Sequence, residues 1–395
     1  MPLICDEADA SAMRFHFAPR EIADIILPRM NPLMLHEFHH GLRARFSELN
    51  GAEITADYGD WPAEHAALRA NAGVIDLSFR SRICLVGVDR ARFLHGQVTN
   101  DVKKLGAGEG CYAAITTNKG KMESDLNIFA LADELLLDFE PGLAEKISQR
   151  LEKFIVADDV QIVDAAPHYG LLSVQGPKAA EAVRALNLFP EIPAQQFDSL
   201  KISDATLGEI YLANNPRLGS SGFDLFVPNN SLGAVADKLI AAAKQIGGCA
   251  IGWTAFETAR IEAGIPRFGA DMDETNIPLE CGIEGRAVSY NKGCYIGQEV
   301  INRIHSVGHV TRELRGLRLA NPAGAGLPLP QKHDKLFHAG KEVGYVTSAV
   351  KSPSLNANIA LGYVRREANQ IGNELTLRTT AGESPAKIVE LPFVK

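Results

Sequence analysis

At 395 residues the chain is long enough for two or three domains, each with a substantial core. Its 40 lysines and arginines are outnumbered by 48 acidic residues, and the formal net charge of −8 excludes a broad nucleic-acid or anionic-membrane surface, leaving only a local basic pocket open. Apolar residues at 46% and charged residues at 22% fit an ordinary globular protein, and no apolar run is long enough for a membrane-spanning helix.

Residues 1–34 carry Asp6, Glu7 and Asp9 and then Arg14, Arg20 and Arg29, without the apolar stretch of a secretory signal. They are expected to form a poorly ordered N-terminal extension, with Met30 and Met34 as candidate starts. From Leu35 the pattern becomes that of a folded domain. Residues 36–49 predict a helix, and 63–72 predict a second, with Pro62 at its start and Gly73 at its end. Residues 74–78 and 82–88 predict strands, and Asp89 is placed to cap a short helix carrying Phe93 and Leu94. Residues 111–117, 122–130 and 134–139 predict a meander with a turn at Asn118-Lys-Gly120. Leu143, Ile147, Leu151, Phe154 and Ile155 recur at helical spacing over 142–156.

A strand at 170–175 leads into a helix opened by Gly176-Pro177, strands follow near 207–213 and 222–227, and Val235, Leu239, Ala242 and Ile246 mark another helix. Thr254-Ala-Phe-Glu257 reads as a capping box for a helix reaching Ile261. The order lacks the βαβ rhythm of a doubly wound sheet, so residues 35–309 are expected to form an α+β domain with antiparallel sheets. Short strands near 314–319, 335–338, 342–349, 358–364, 374–378 and 386–391 predict a small all-β barrel over 310–395.

The six cysteines (Cys5, Cys84, Cys111, Cys249, Cys281 and Cys294) form no C-x-x-C pair and share no zinc-type spacing with histidine. They read as reduced thiols of a cytoplasmic protein without a metal site. Cys294 stands apart, in Lys292-Gly-Cys-Tyr-Ile-Gly-Gln-Glu299. Gly293 and Gly297 permit positive φ or close approach, and Lys292 is a cation able to lower a neighbouring thiol's pKa. The same residues also suit a tight turn around a small buried thiol.

This stretch is similar to the K-G-C-[FY]-x-G-Q-E signature of the YgfZ-type folate-binding proteins. Glu64-His65, Arg69 and Gly73-Val-Ile-Asp-Leu-Ser78 resemble a block of the glycine-cleavage T proteins, and Thr99-Asn-Asp101, Leu172-Ser-Val-Gln-Gly-Pro177, Arg260-Ile-Glu-Ala-Gly264, Asp271-Met-Asp-Glu274 and Pro278-Leu-Glu280 match further blocks in the same order. The resemblance implies a T-protein-like ring of two related α+β subdomains around a folate site, with a C-terminal barrel closing one side. It implies tetrahydrofolate, or a one-carbon derivative of it, as the bound cofactor. Asp101 matches the aspartate near the folate nitrogen, Asn118 falls where folate is contacted, Tyr112 is placed to stack on a flat ring or to sit half-buried in its strand, and Arg260 is placed to pair a folate carboxylate. Arg260 equally suits an ion pair with Glu257 or Glu262.

Departures from the T-protein pattern shape the functional expectation. The pterin-binding glutamate falls at Ser220, the arginine of the A-R-D block at Phe256, and the paired acids become Ser124-Asp125. With the Cys294 motif, these departures favour a folate-binding accessory factor for iron–sulfur protein assembly or repair. Cys294 and Lys292 are then the reactive centre and iron–sulfur client or scaffold proteins the partners, with an indirect effect on tRNA modification, no direct nucleic-acid contact and no membrane. The alternative is a tetrahydrofolate-dependent aminomethyltransferase or methyltransferase of the T-protein type.

Overall fold

The computed structural model describes residues 30–320 and 328–394. Two antiparallel sheets face each other. The first has the order Gly110–Thr116, Met122–Ala130, Glu134–Phe139, Ser81–Val86, Gln161–Asp164. The second runs Ser199–Asp204, Gly208–Asn214, Gly222–Pro228, Tyr169–Gln175, Gly73–Asp76, Cys249–Ala250, and only its last pair is parallel.

Alternation along each strand sorts side chains between two cores. In Met122–Ala130, Leu126 and Ile128 turn outward to Phe93, Leu94, Ile147 and Leu151 of the helices Arg90–Gln97 and Ala144–Glu152. Phe129 turns inward with Cys84 and Leu136 to meet Ile75, Leu171 and Phe226 of the other sheet. The second sheet's outer face is covered by Ala179–Ala185 and Leu232–Gln245 through Val183, Val235 and Leu239. The inner faces are apolar at one end only. Past Phe129 the same strand face continues as Asn127 and Asp125, and Asn127 lies in register with Tyr112 on one side and Asp138 on the other. A polar cleft therefore opens where the sheets part.

The C-terminal barrel closes in the order Arg312–Leu319, Ala357–Arg365, Lys341–Ser352, Lys335–His338, Glu374–Thr379, Gly382–Val389. Leu317, Val346, Leu377 and Ile388 fill it. Leu314, Ile359, Leu361 and Tyr363 seat it against Met122, Cys281 and Ile283 of the larger domain.

Three expectations need correction. The helix expected over 36–49 stops at Gly41, and Arg45–Leu49 pairs with Ala52–Asp57. Asn50-Gly51, with φ of 50° and 81°, forms the hairpin turn, an Asn-Gly signal that outranks the helical spacing before it. Asn31 and Leu33, placed by expectation in a loose extension, are packed: Asn31 bridges Ala52, and Leu33 is buried with its amide donating to Glu53 Oε2. Residues 1–29 of that extension lie outside the described residues. Thr254 caps nothing, because the helix Trp253–Glu262 begins one residue before it and Glu257 turns to Arg260 instead.

Candidate functional site

The cleft is a slot of about 100 Å³. One wall is a ladder of alternating charge. Asp224 holds Arg217 (2.6 Å), which reaches Asp138 (2.7 Å); Asp138 holds Arg80 (2.7 Å), which reaches Glu140 (2.6 Å). Glu140 holds Arg267 (2.8 Å), Arg267 lies 3.4 Å from Glu257, and Glu257 holds Arg260 (2.6 Å), which ends on Asp271 (2.5 Å). Burial works against the Asp138 carboxylate, yet Arg217 and Arg80 hold it well below the ordinary range. Each charge in this wall is answered by its neighbours.

Three features of the slot remain open to a ligand. Trp253 lines the slot, stacked on the buried Phe256 at 5.4 Å and 23° and with the Arg267 guanidinium 5.2 Å from its ring. Asp125 accepts from the Tyr112 hydroxyl through Oδ2 (2.7 Å), and among the described residues Oδ1 has no donor. Burial, then Glu140, push its carboxyl upward, with the Tyr112 hydroxyl opposing. Arg286 is exposed at the rim with its guanidinium 4.6 Å above the Tyr112 ring, and it pairs with no carboxylate among the described residues.

The segment after the helix Arg90–Gln97 packs behind two residues of the slot, Tyr112 and Arg286. Asn100 Nδ2 donates to the carbonyls of Tyr112 (2.9 Å) and Arg286 (3.1 Å), which places Asp101 one residue from the slot wall. Asp101 Oδ2 lies 3.1 Å from Lys104 Nζ and Oδ1 lies 3.3 Å from His95 Nδ1. Burial tends to raise the Asp101 carboxyl, but Lys104, His95 and Lys292 together hold it below the usual value. Lys292 is buried, and its ammonium donates to the carbonyls of His95 (2.5 Å), Val98 (2.6 Å) and Asn100 (2.9 Å). Burial pushes that ammonium down to about 8, against the pull of Asp101.

The sequence-derived candidates separate accordingly. Tyr112 lines the slot, whereas Asp101 is not among the lining residues and follows Asn100, which bonds the Tyr112 carbonyl. Arg260 also lines it but spends all five donors on Glu257, Asp271, the Ile265 carbonyl and Ser348, so no fork is left for a folate carboxylate. Asn118 sits exposed in the strand–strand turn and is not part of the slot. Ser220 lines a different groove with Leu68 and Pro177, so it does not mark a lost pterin anchor. Lys292 serves the backbone carbonyls rather than the thiol of Cys294, which is exposed. Asp125, seen in sequence as the remnant of an acid pair, is the acid facing the slot, and its phase with Phe129 on one strand was the available signal. Arg286 and Trp253 went unnoticed. No group of histidines, cysteines and acids among the described residues could hold a metal. Among them, too, no helix is long and apolar enough to cross a membrane.

Two facing α+β layers, a charged slot between them and a docked barrel define the T-protein architecture. The chain belongs to the glycine cleavage T-protein family: residues 35–292 match its GCVT N-terminal domain and residues 312–395 its C-terminal barrel domain. It is 30% identical to the aminomethyltransferase of Rubrobacter xylanophilus, over 91% of this chain and 93% of that one. It is 28% identical to the aminomethyltransferase of Lysinibacillus sphaericus, over 89% and 94%. The fold matches that of glycine cleavage system aminomethyltransferase T from Bartonella henselae with a TM-score of 0.83, covering 92% and 98% at 23% identity. These relatives overturn the expectation of an iron–sulfur accessory factor with client proteins and an effect on tRNA modification. The departures that had favoured it lose their force as well, since an acid does face the slot and Ser220 lies elsewhere.

Proposed function

We propose that the protein is a tetrahydrofolate-dependent aminomethyltransferase. The observation that carries this function is the slot itself, in which a self-neutralised wall leaves one carboxylate oxygen, one indole and one guanidinium for a ligand. That set fits a reduced folate. A pterin's N–H edge suits Asp125 Oδ1, its rings suit Trp253, and the anionic glutamate tail suits Arg286 at the rim. When bound, tetrahydrofolate supplies the nitrogen that accepts the one-carbon unit.

The chain's own residues then have defined tasks. Trp253 and Phe256 keep water from one face of the slot. Asp101, held ionised at neutral pH, stabilises positive charge developing on nitrogen. Lys292 is a positioning residue: by gripping three carbonyls of the segment 95–100 it fixes the loop that presents Asp101. Calorimetric titration with tetrahydrofolate, paired with an assay for transfer of labelled carbon from an aminomethyl donor, tests the proposal. Asp125→Asn should weaken binding by about 1.5–3 kcal/mol, the worth of a hydrogen bond to a charged group. A wild-type protein that neither binds tetrahydrofolate nor loads it with carbon would refute the assignment.

A further inference from the structure

Arg286 reaches the slot from Glu284–Ala287, a helix of four residues and too short to hold itself. The segment Thr99–Asn100 pins its C-terminal end: Thr99 Oγ1 donates to the Ala287 carbonyl (2.6 Å), Asn100 Nδ2 to the Arg286 carbonyl (3.1 Å), and the Ser289 amide to the Thr99 carbonyl (3.0 Å). Side chains make the other attachment. Glu284 Oε1 accepts from the Tyr290 hydroxyl (2.5 Å) and lies 2.6 Å from Nδ1 of His305, on the helix Gln298–Val307. A carboxylate only accepts, so this Nδ1 carries a proton and donates. The Tyr290 and His305 rings stack at 3.8 Å and 20°, which closes the three side chains into one unit. Burial, then the bond to Glu284, raise the Tyr290 phenol far above its ordinary value, so its hydroxyl stays a donor. Residues two apart on a helix face different ways, so Glu284 turns to this unit and Arg286 to the slot.

We propose that Glu284, Tyr290 and His305 are positioning residues that hold Arg286 over the rim of the slot and so make the site select ligands with an anionic tail. The identity of that tail rests on the tetrahydrofolate reading above; the bracket itself rests on the geometry. Four other arginines line the slot, and each is held by a carboxylate: Arg80 by Asp138, Arg217 by Asp224, Arg260 by Glu257 and Arg267 by Glu140. Arg286, 4.6 Å above the Tyr112 ring, is the lining arginine left for a ligand's anion. An exposed guanidinium gains little from an anion unless its backbone is already fixed, because ordering a loose segment offsets the attraction. The bracket supplies that order. The Glu284 and His305 side chains are themselves 33% and 48% exposed, so their pairing adds little to global stability and acts on the local placement of the helix.

The test compares calorimetric affinities of the full chain for tetrahydrofolate and for tetrahydropteroate, which lacks the glutamate. Wild type should favour tetrahydrofolate by about fivefold or more, the upper worth of an exposed ion pair. Arg286→Gln should abolish that preference, and a preference it leaves intact would overturn the proposal. Glu284→Ala should lower the preference at least about threefold, and Glu284→Gln, which keeps an acceptor oxygen, should restore most of it. General damage to the fold would weaken both compounds together, so an unchanged preference in Glu284→Ala overturns the proposal, as does a wild type without preference. Should Glu284→Ala fail to fold, Tyr290→Phe removes a single hydroxyl and decides by the same measure. Hydrogen exchange on the same samples without ligand keeps this proposal separable from the transferase function. The amides of Arg286, Ala287 and Val288, bonded to the Ile283 and Glu284 carbonyls, should exchange about tenfold faster or more in Glu284→Ala, with Ala179–Ala185 unchanged. Unchanged exchange there would overturn the bracket. A wild type that binds neither compound counts against the folate reading alone, and the exchange result then decides the bracket.

Discussion

Asp101 stands among Lys104, Lys292 and His95, which together hold its carboxyl below the usual value. Asp101→Asn keeps the shape and removes the charge, so tetrahydrofolate affinity should fall by about 1.5–3 kcal/mol with the fold intact. Equal calorimetric affinities for variant and wild type would remove Asp101 from the site. Lys292 teaches a different lesson. Two residues from a cysteine, its charge looks in sequence like a device for acidifying the thiol, whereas three carbonyl oxygens claim it in the fold. Lys292→Met strands those carbonyls and should lower stability by about 1–3 kcal/mol in urea titrations. The pH dependence has a fixed sign. The folded ammonium titrates at about 8, below the unfolded value of roughly 10.4, so in that window the unfolded chain binds more protons and stability rises with pH. Tyrosines and cysteines common to both proteins cancel in the comparison. The wild type's advantage over Lys292→Met should therefore widen from about pH 8 to pH 10, and a constant or shrinking gap would contradict the buried charge.

The helix Gln298–Val307 can begin where it does only because Gly297 takes φ 93°. A side-chain carbon there would meet Thr116 Oγ1 at 2.5 Å and the Thr117 carbonyl at 2.6 Å, and the Thr116 hydroxyl is already donating to Ile296 O. Gly297→Ala combines a left-handed backbone with overpacking and should cost at least about 2 kcal/mol. A variant unfolding within a few tenths of a kcal/mol of wild type would mean that the helix start can slide. What was legible at this scale follows the strength of the local signal. The central meander strands and the barrel strands alternate or run apolar because both their faces, or one of them, are buried, and their places in sequence were plain. Gln161–Asp164 and Ser199–Asp204 were missed because they are short edge strands with only two apolar residues each, Ile162 and Val163 in the first and Leu200 and Ile202 in the second. In the site, Asp101 and Tyr112 could be placed through motif blocks, whereas Arg286 lies on the four-residue helix Glu284–Ala287, too short for any pattern.

Across the whole molecule, the charged ladder runs beside the apolar cores that the two sheets, the helix Trp253–Glu262 and the barrel already share. It begins on Asp224 of the second sheet, crosses to Asp138 of the first, continues through the helix Trp253–Glu262, and ends at Asp271, whose Oδ1 accepts from Thr347 (2.5 Å) and Ser348 (2.7 Å) of the barrel. The barrel has a second tether, Glu262, which accepts from His65, Ser352 and Ser354. Because two tethers exist, cutting one should loosen the barrel rather than release it. Arg260→Met leaves Glu257 leaning on Arg267 alone and Asp271 on hydroxyls and one amide. Removing one member of a buried ion-pair network ordinarily costs about 3–5 kcal/mol, because the partners stay buried without their counter-charge. The loss should be local in native-state hydrogen exchange, with faster exchange in Trp253–Glu262 and the barrel strand Lys341–Ser352 and unchanged protection in Ala179–Ala185 on the far face. Protection lost uniformly would mean that the ladder is one element of a single cooperative core, and protection lost nowhere would mean that it holds nothing together.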